Sequence, residues 1–282
     1  MKFEEVSFDL DDKNLFLVDD LKLKADAIRH SILPKLEIVT NETISILTNV
    51  FHSNPLELST VLKFPNFRKN RTTDFAINYT EAQAGLGSKR NRILWSEVKR
   101  SNGEQPMVLP FSLTYCLDEF GFRFYFTTTR YGLKLKDYSL FHSYHLQHKE
   151  EIDMLVMESS THLSLLFEDY KKFALKPKKE FFDAMLNEKR WELMYFSKTL
   201  QYSIDNESIS SLLQQYITFY PIYENYIKLS SGNSFDFEPQ LDLLRKFLIQ
   251  IEEAEFEETD EEILQTEKFT SQQLLEIAEK KI

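Results

Sequence analysis

From Met107 to Thr128 the chain reads MVLPFSLTYCLDEFGFRFYFTT, and apolar side chains alternate with polar ones through both halves of this segment. Successive side chains of a strand point to opposite faces, so the alternation predicts one strand from Met107 to Leu117 and another from Phe122 to Thr128. The four residues Asp118–Gly121 form a turn of the kind that joins antiparallel strands. A β-hairpin is therefore expected in the middle of the chain.

The segments before this hairpin extend it into a meander. Strand-like patterns at Asp74–Tyr79 and Ile93–Arg100 give about four antiparallel strands in the central part of the chain. Further upstream, helical spacing runs from Leu21 to Leu33 and from Lys35 to Phe51, with Pro34 forcing a break or restart between them. Residues 1–18 are expected to be extended.

Beyond Gly132 the pattern is helical to the end. Helices are predicted over Leu140–Phe173, Lys179–Ser203, Ser208–Leu229 and Gln240–Glu253. We therefore expect an α+β fold with N-terminal helices, a central antiparallel meander of about four strands and a helical C-terminal half. Residues 1–178 would form an α+β domain with a basic glycine loop at its edge, and residues 179–282 a helical domain with an acidic tail.

Composition restricts the class of protein. The 282 residues suffice to bury a core, and the single cysteine, Cys116, excludes a disulfide framework or a cysteine-rich zinc cluster within the chain. The acidic start, Met1–Glu5, lacks the features of a secretory signal, and no apolar run reaches the roughly 18 residues of a membrane span. A cytoplasmic protein without a membrane partner is expected.

Charge is segregated along the chain. Lys63–Arg100 contains nine Lys or Arg and three acidic residues, whereas the whole chain has a formal net charge of −11. Because this segment contributes +6, the remaining residues carry −17. Segregated positive charge in an acidic protein indicates a binding site for a polyanion.

Within the basic segment, a loop is predicted at Gly85–Arg90, where glycine would let backbone N–H groups approach a phosphate. Nucleic acid, DNA in the first place, is the expected ligand, with Trp95 as a platform on which a base could stack. The cations expected on phosphate are Arg68, Lys69, Arg71, Lys89, Arg90 and Arg92. The alternative is a basic surface that pairs with the acidic tail of this chain or with a partner subunit.

A second pattern in the same segment suggests metal-dependent hydrolysis. On the predicted strand, Glu97 and Lys99 share one face, and Asp74 lies on a preceding strand. The arrangement resembles that of PD-(D/E)xK nucleases, which implies two carboxylates on Mg²⁺ and a lysine beside the phosphorus. The simpler interpretation is a solvated strand face with alternating charges. No cofactor other than this Mg²⁺ is predicted.

The spacing of Gly85, Gly87 and Trp95, followed by the hairpin and Gly132, resembles the N-terminal DNA-binding domain of McrB-type methylcytosine-dependent restriction enzymes. The similarity covers roughly residues 75–132, and no P-loop follows it. It implies DNA binding, with a modified base flipped out and stacked on Trp95, in a protein of phage defence or counter-defence. The alternative is that Trp95 is a core residue.

A third class of function is protein binding without catalysis. Long helices and the acidic Glu252–Glu267 would suit an inhibitor or assembly subunit, and a homo-oligomer is open as well. His142, His145 and His148 lie close together in the sequence, but no carboxylate completes a metal site on their helix face. A packing role is expected for them.

Overall fold

The computed structural model describes residues 1–52, 56–63, 81–97, 111–129, 138–158, 162–167, 173–176, 191–232 and 238–259. Within these residues the helices are α1 (Leu10–Phe16), α2 (Leu21–Ala27), α3 (Leu33–Val50), α4 (Lys89–Glu97), α5 (Tyr138–Gln147), α6 (Lys149–Glu158), α7 (Asn206–Ser230) and α8 (Glu238–Thr259). The strands are β1 (Ser59–Lys63), β2 (Ala82–Gly87), β3 (Phe111–Asp118), β4 (Gly121–Thr129), β5 (His162–Phe167), β6 (Phe173–Lys176) and β7 (Trp191–Leu200). The predicted α+β class is confirmed.

The strands form one antiparallel sheet in the order β1-β2-β3-β4-β7-β5-β6. The predicted hairpin is present, since β3 and β4 pair from Phe111 opposite Thr128 to Asp118 opposite Gly121. Strand β7 lies between β4 and β5 and pairs with both. The boundary predicted between residues 178 and 179 therefore divides strands that belong to the same sheet.

The helix predicted over 140–173 is confirmed in α5 and α6, as far as Glu158, but β5 and β6 correct its end. The helix predicted over 179–203 is corrected by β7. Trp191–Leu200 contains Glu, Leu and Met, which favour helix, but its backbone pairs with neighbouring strands on both sides. Tertiary pairing of this kind overrides local propensity. The helices predicted over 208–229 and 240–253 are confirmed.

The extended segment predicted over residues 1–18 is wrong at Phe3–Glu5, which form a 3₁₀-helical turn, and again from Leu10 onward, where α1 begins. The Asp9 carboxylate accepts hydrogen bonds from the backbone N–H groups of Asp11 and Asp12. In return, the Asp12 side chain accepts from the N–H of Asp9 at 3.0 Å. This capping box satisfies N–H groups that a helix start otherwise leaves without partners, and so it fixes the first turn.

Both helices predicted around Pro34 are present, but the proline does not separate them. Instead, a π-helical turn at Ile28–Ile32 joins α2 to α3. Proline has no N–H to donate, and its ring crowds the carbonyl group four residues earlier. The wider turn accommodates this, since Leu33 donates its N–H to the carbonyl oxygen of Ile28, five residues back.

The core lies between one face of the sheet and the helices α3 and α7. Tyr115 of β3 stacks on Tyr216 of α7 with ring centroids 4.5 Å apart, and the Tyr216 hydroxyl donates to the carbonyl oxygen of Leu113 at 2.8 Å. Of the 25 residues of α7, 18 are buried, because the sheet covers one side while α3, α6 and α8 contact others. Helix α7 is therefore the central helix of the described structure.

Candidate nucleic-acid interface

The chain turns directly from β2 into α4, where the sequence predicted first a glycine loop and then a strand. Gly85 and Gly87 lie in β2, and residues 93–97 of the predicted strand Ile93–Arg100 are helical. Ser88 explains the helix start, because its hydroxyl accepts from the N–H of Asn91 and its carbonyl oxygen accepts from the N–H of Arg92 at 3.0 Å. Both predictions for this segment are therefore corrected.

The two glycines are needed for close packing rather than for loop flexibility. A Cβ atom on Gly87 would lie 2.3 Å from a methyl carbon of Val61, on the neighbouring strand β1. A Cβ atom on Gly85 would lie 2.9 Å from the hydroxyl oxygen of Thr114 on β3. Side chains of the two flanking strands therefore occupy the space above both glycines.

Asn91 holds α4 against the sheet. Its side chain is completely buried, and its amide nitrogen donates to the carbonyl oxygen of Phe111, the first residue of β3, at 2.6 Å. Beneath it, the hydroxyl of Tyr223 donates to the carbonyl oxygen of Leu86 at 3.3 Å, and burial raises the pKa of Tyr223 above the usual value. The first turn of α4 is thus fixed by its buried side.

The exposed side of this turn carries three cations. Lys89, Arg90 and Arg92 are exposed, and Ile93 beside them is 52% exposed. We call these four residues the basic end. A helix N-terminus carries a partial positive charge of its own, which adds to the field of the three side chains.

The basic end borders an open groove of about 500 Å³, lined by Glu57, Lys89, Arg92 and Ile93. The Lys89 ammonium lies 3.3 Å from the Glu57 carboxylate, with both side chains more than two-thirds exposed. Exposed ion pairs contribute little to stability, so an anionic ligand can displace this one. Glu57 also has a φ of 50°, a left-handed conformation that is uncommon outside glycine.

Several predicted site residues fall outside the described part of the chain. These are Arg68, Lys69, Arg71, Asp74 and Lys99. Trp95 and Glu97 lie in the last turns of α4. The strand that the nuclease hypothesis expected at Glu97 is therefore a helix.

A second polar cluster, which the sequence did not reveal, lies on the sheet face away from α7. The ligand atoms of Glu81, Cys116 and Asp118 all lie within 4.8 Å of one another and could in principle hold a metal ion. Protein groups already occupy these atoms, because the Cys116 thiol donates to Glu81 at 3.2 Å and Asp118 forms an ion pair with Arg123. Glu81 lies far from Cys116 and Asp118 in the sequence. The pairing of β2 with β3, which sets Gln83 opposite Cys116, brings the three residues together.

The packing role expected for the histidines is seen at His145. Its side chain is buried on α5, and its Nε2 atom lies 2.6 Å from the hydroxyl oxygen of Tyr226 on α7. His148 is partly exposed, and its ring lies 4.9 Å from that of Tyr144. The contact between His145 and Tyr226 therefore joins α5 to the central helix.

No protein-family model and no curated protein matches this chain. Among the described helices, none has both the length and the apolar character that crossing a membrane requires. Function is therefore inferred from the charge, exposure and contacts of the basic end.

Proposed function

We propose that this protein binds nucleic acid through the basic end. The observation that carries the proposal is the exposure of Lys89, Arg90 and Arg92 together at the start of a helix that borders an open groove. Phosphate groups are bound in proteins by such combinations of a helix N-terminus with lysine and arginine side chains. The sequence also predicts phosphate contacts at Arg68, Lys69 and Arg71, which lie outside the described residues.

The buried side of α4 supports this proposal physically. Asn91 fixes the first turn of α4, so the backbone positions that carry the three cations are set before a ligand arrives. A fixed arrangement loses less conformational entropy on binding than three cations on a mobile loop. Recognition rather than catalysis is the activity proposed, because phosphate contacts fix the position of a nucleic acid without requiring a reaction.

The test is fluorescence anisotropy with labelled single-stranded and double-stranded DNA over a salt series. The double variant R90Q/R92Q should bind more weakly, and on duplex DNA the slope of log K against log salt should fall by about 0.9 for each phosphate that the variant no longer neutralises. Arg245→Gln is the matched control, since Arg245 is an exposed arginine on α8. Its affinity should equal that of the unchanged protein.

Two results would contradict the proposal. One is the absence of binding at low salt, and the other is an equal loss of affinity in the Arg245→Gln control. Running the same samples on a gel with Mg²⁺ or EDTA tests for hydrolysis. Cleavage that requires Mg²⁺ would favour the nuclease hypothesis with Asp74, Glu97 and Lys99.

A further inference from the structure

The N-terminal helices expose large apolar side chains. Leu10 is 60% exposed, Leu17 51% and Leu21 44%. Leu10 begins α1, and Leu17 caps its C-terminal end seven residues later, so the two lie on the same side of the helix. Single exposed leucines are ordinary, but several within two short helices indicate a contact surface.

The segment that carries these leucines is acidic. Residues 1–26 contain eight Asp or Glu and four Lys, a formal net charge of −4. We call the exposed leucines and the exposed aspartates next to them in sequence the leucine end: Leu10, Leu17, Leu21, Leu23, Asp9, Asp11, Asp19 and Asp20. A complementary surface would be basic and would present an apolar side chain of its own.

The basic end of the same chain has this chemistry. Ile93 is exposed among Lys89, Arg90 and Arg92, so an apolar contact is surrounded by cations. Opposite charges around apolar contacts favour association between two surfaces and also fix their register.

The two ends lie at opposite ends of the sheet. Asn91 of α4 bonds to Phe111, at the start of β3. Phe8, just before α1, stacks on Phe122 with ring centroids 5.0 Å apart, and Phe122 pairs with Leu117 near the other end of β3. Phe111 and Leu117 are six positions apart in the strand, or about 20 Å. In one copy, neither end covers the other.

We propose that the leucine end of one copy binds the basic end of a second copy. Each copy then uses a different surface toward each neighbour, which is a heterologous, head-to-tail contact. Such contacts continue from copy to copy, so the assembly grows with protein concentration unless it closes into a ring. Nucleic acid and a second copy compete for the same cations, which links assembly to the proposed binding activity.

The test is analytical ultracentrifugation of the full chain over a range of protein concentrations at low and high salt. The average mass should rise with concentration at low salt and fall toward the monomer at high salt, since the contact depends on charge. Leu17→Gln should weaken association about tenfold, because it removes an apolar contact, and Arg90→Glu should weaken it at least as much, because it places like charges in contact. Circular dichroism of both variants checks that they fold.

Mixing the two variants separates this arrangement from others. Leu17→Gln retains its basic end and Arg90→Glu retains its leucine end, so an equimolar mixture should form a one-to-one dimer and nothing larger. A symmetric contact would not be restored in this way. Leu17→Gln should still bind DNA, which distinguishes failure of assembly from failure of the proposed function. A monomer at every concentration at low salt, or association that persists in both variants, would overturn the proposal.

Discussion

The phenol oxygen of Tyr115 lies 3.0 Å from the hydroxyl oxygen of Thr43, where β3 meets α3 in the core. The Thr43 hydroxyl donates its only proton to the carbonyl oxygen of Val39 at 2.8 Å. It must therefore accept the proton of Tyr115. This bond gives a fully buried phenol a partner and ties the sheet to its longest N-terminal helix.

Tyr115→Phe should lower the free energy of unfolding by about 1 kcal/mol, because it removes one buried hydrogen bond without leaving a donor unsatisfied. Thr43→Val should be more destabilising, since it leaves the buried phenol without its acceptor. Urea unfolding of both variants and of the double variant gives the coupling energy between the two residues. A coupling near zero would show that the bond does not stabilise the fold.

Alkaline pH should unfold the protein cooperatively. Burial is the main cause that raises the pKa of seven tyrosines above the usual value of 10.0, namely Tyr115, Tyr144, Tyr202, Tyr216, Tyr220, Tyr223 and Tyr226. A raised pKa in the folded state means that the unfolded chain releases these protons first. The stability that these neutral, buried tyrosines contribute is fully present below pH 10 and is lost as the pH rises above that value. Phenolate absorbance and circular dichroism should change together, whereas ionisation of these tyrosines in the folded protein would contradict this expectation.

The ion pair between Asp12 and Lys35 should stabilise the attachment of α1. The Lys35 ammonium lies 2.8 Å from one carboxylate oxygen of Asp12 and also donates to the carbonyl oxygen of Ser7 at 3.0 Å. Asp12→Asn would leave a largely buried ammonium without its counter-charge, so we expect a loss of about 2 kcal/mol in urea unfolding. The matched control is Asp26→Asn, because the Arg29–Asp26 pair is about half exposed and should change stability by less than about 0.5 kcal/mol. Equal effects in the two variants would contradict a structural role for Lys35.

Gly87→Ala should destabilise the edge of the sheet by about 1–3 kcal/mol, because the new methyl group would overlap Val61. The side chain of Val61 is β-branched and cannot easily move aside. Val61→Ala removes the overlapping methyl carbon, so the variant V61A/G87A should recover part of the loss. Thermal unfolding of the unchanged protein, G87A, V61A and V61A/G87A measures this recovery. If V61A/G87A were no more stable than G87A, the pairing register between β1 and β2 would be contradicted.

The sequence predicted those elements whose pattern is local. The alternation around Tyr115 and the turn at Gly121 placed β3 and β4, and apolar spacing placed α7. The start of α4 at Ser88 is hidden in the sequence, because Gly85 and Gly87 just before it are typical of a loop. The capping role of Ser88 is visible only from its hydrogen bond with the N–H of Asn91. Trp191–Leu200 was misjudged for another reason, since its state is decided by the partner strands β4 and β5, which lie far away in the sequence.

The candidate site was predictable in part. The cations Lys89, Arg90 and Arg92 can be selected from charge alone, and the structure shows that all three are exposed. Two other features of the site depend on contacts between residues that are far apart in the sequence, so no local pattern predicts them. One is the approach of Glu57 to Lys89, and the other is the buried anchor formed by Asn91 on Phe111.

The position of β7 in the sheet has a consequence for synthesis of the chain. Strand β4 pairs with β7, which ends 71 residues after Thr129. At roughly 5–20 residues per second, a ribosome needs about 4 to 14 s to add them. Throughout that time the newly made β4 offers a row of backbone groups to any other nascent chain. A chaperone that covers this edge should therefore raise the yield of folded protein.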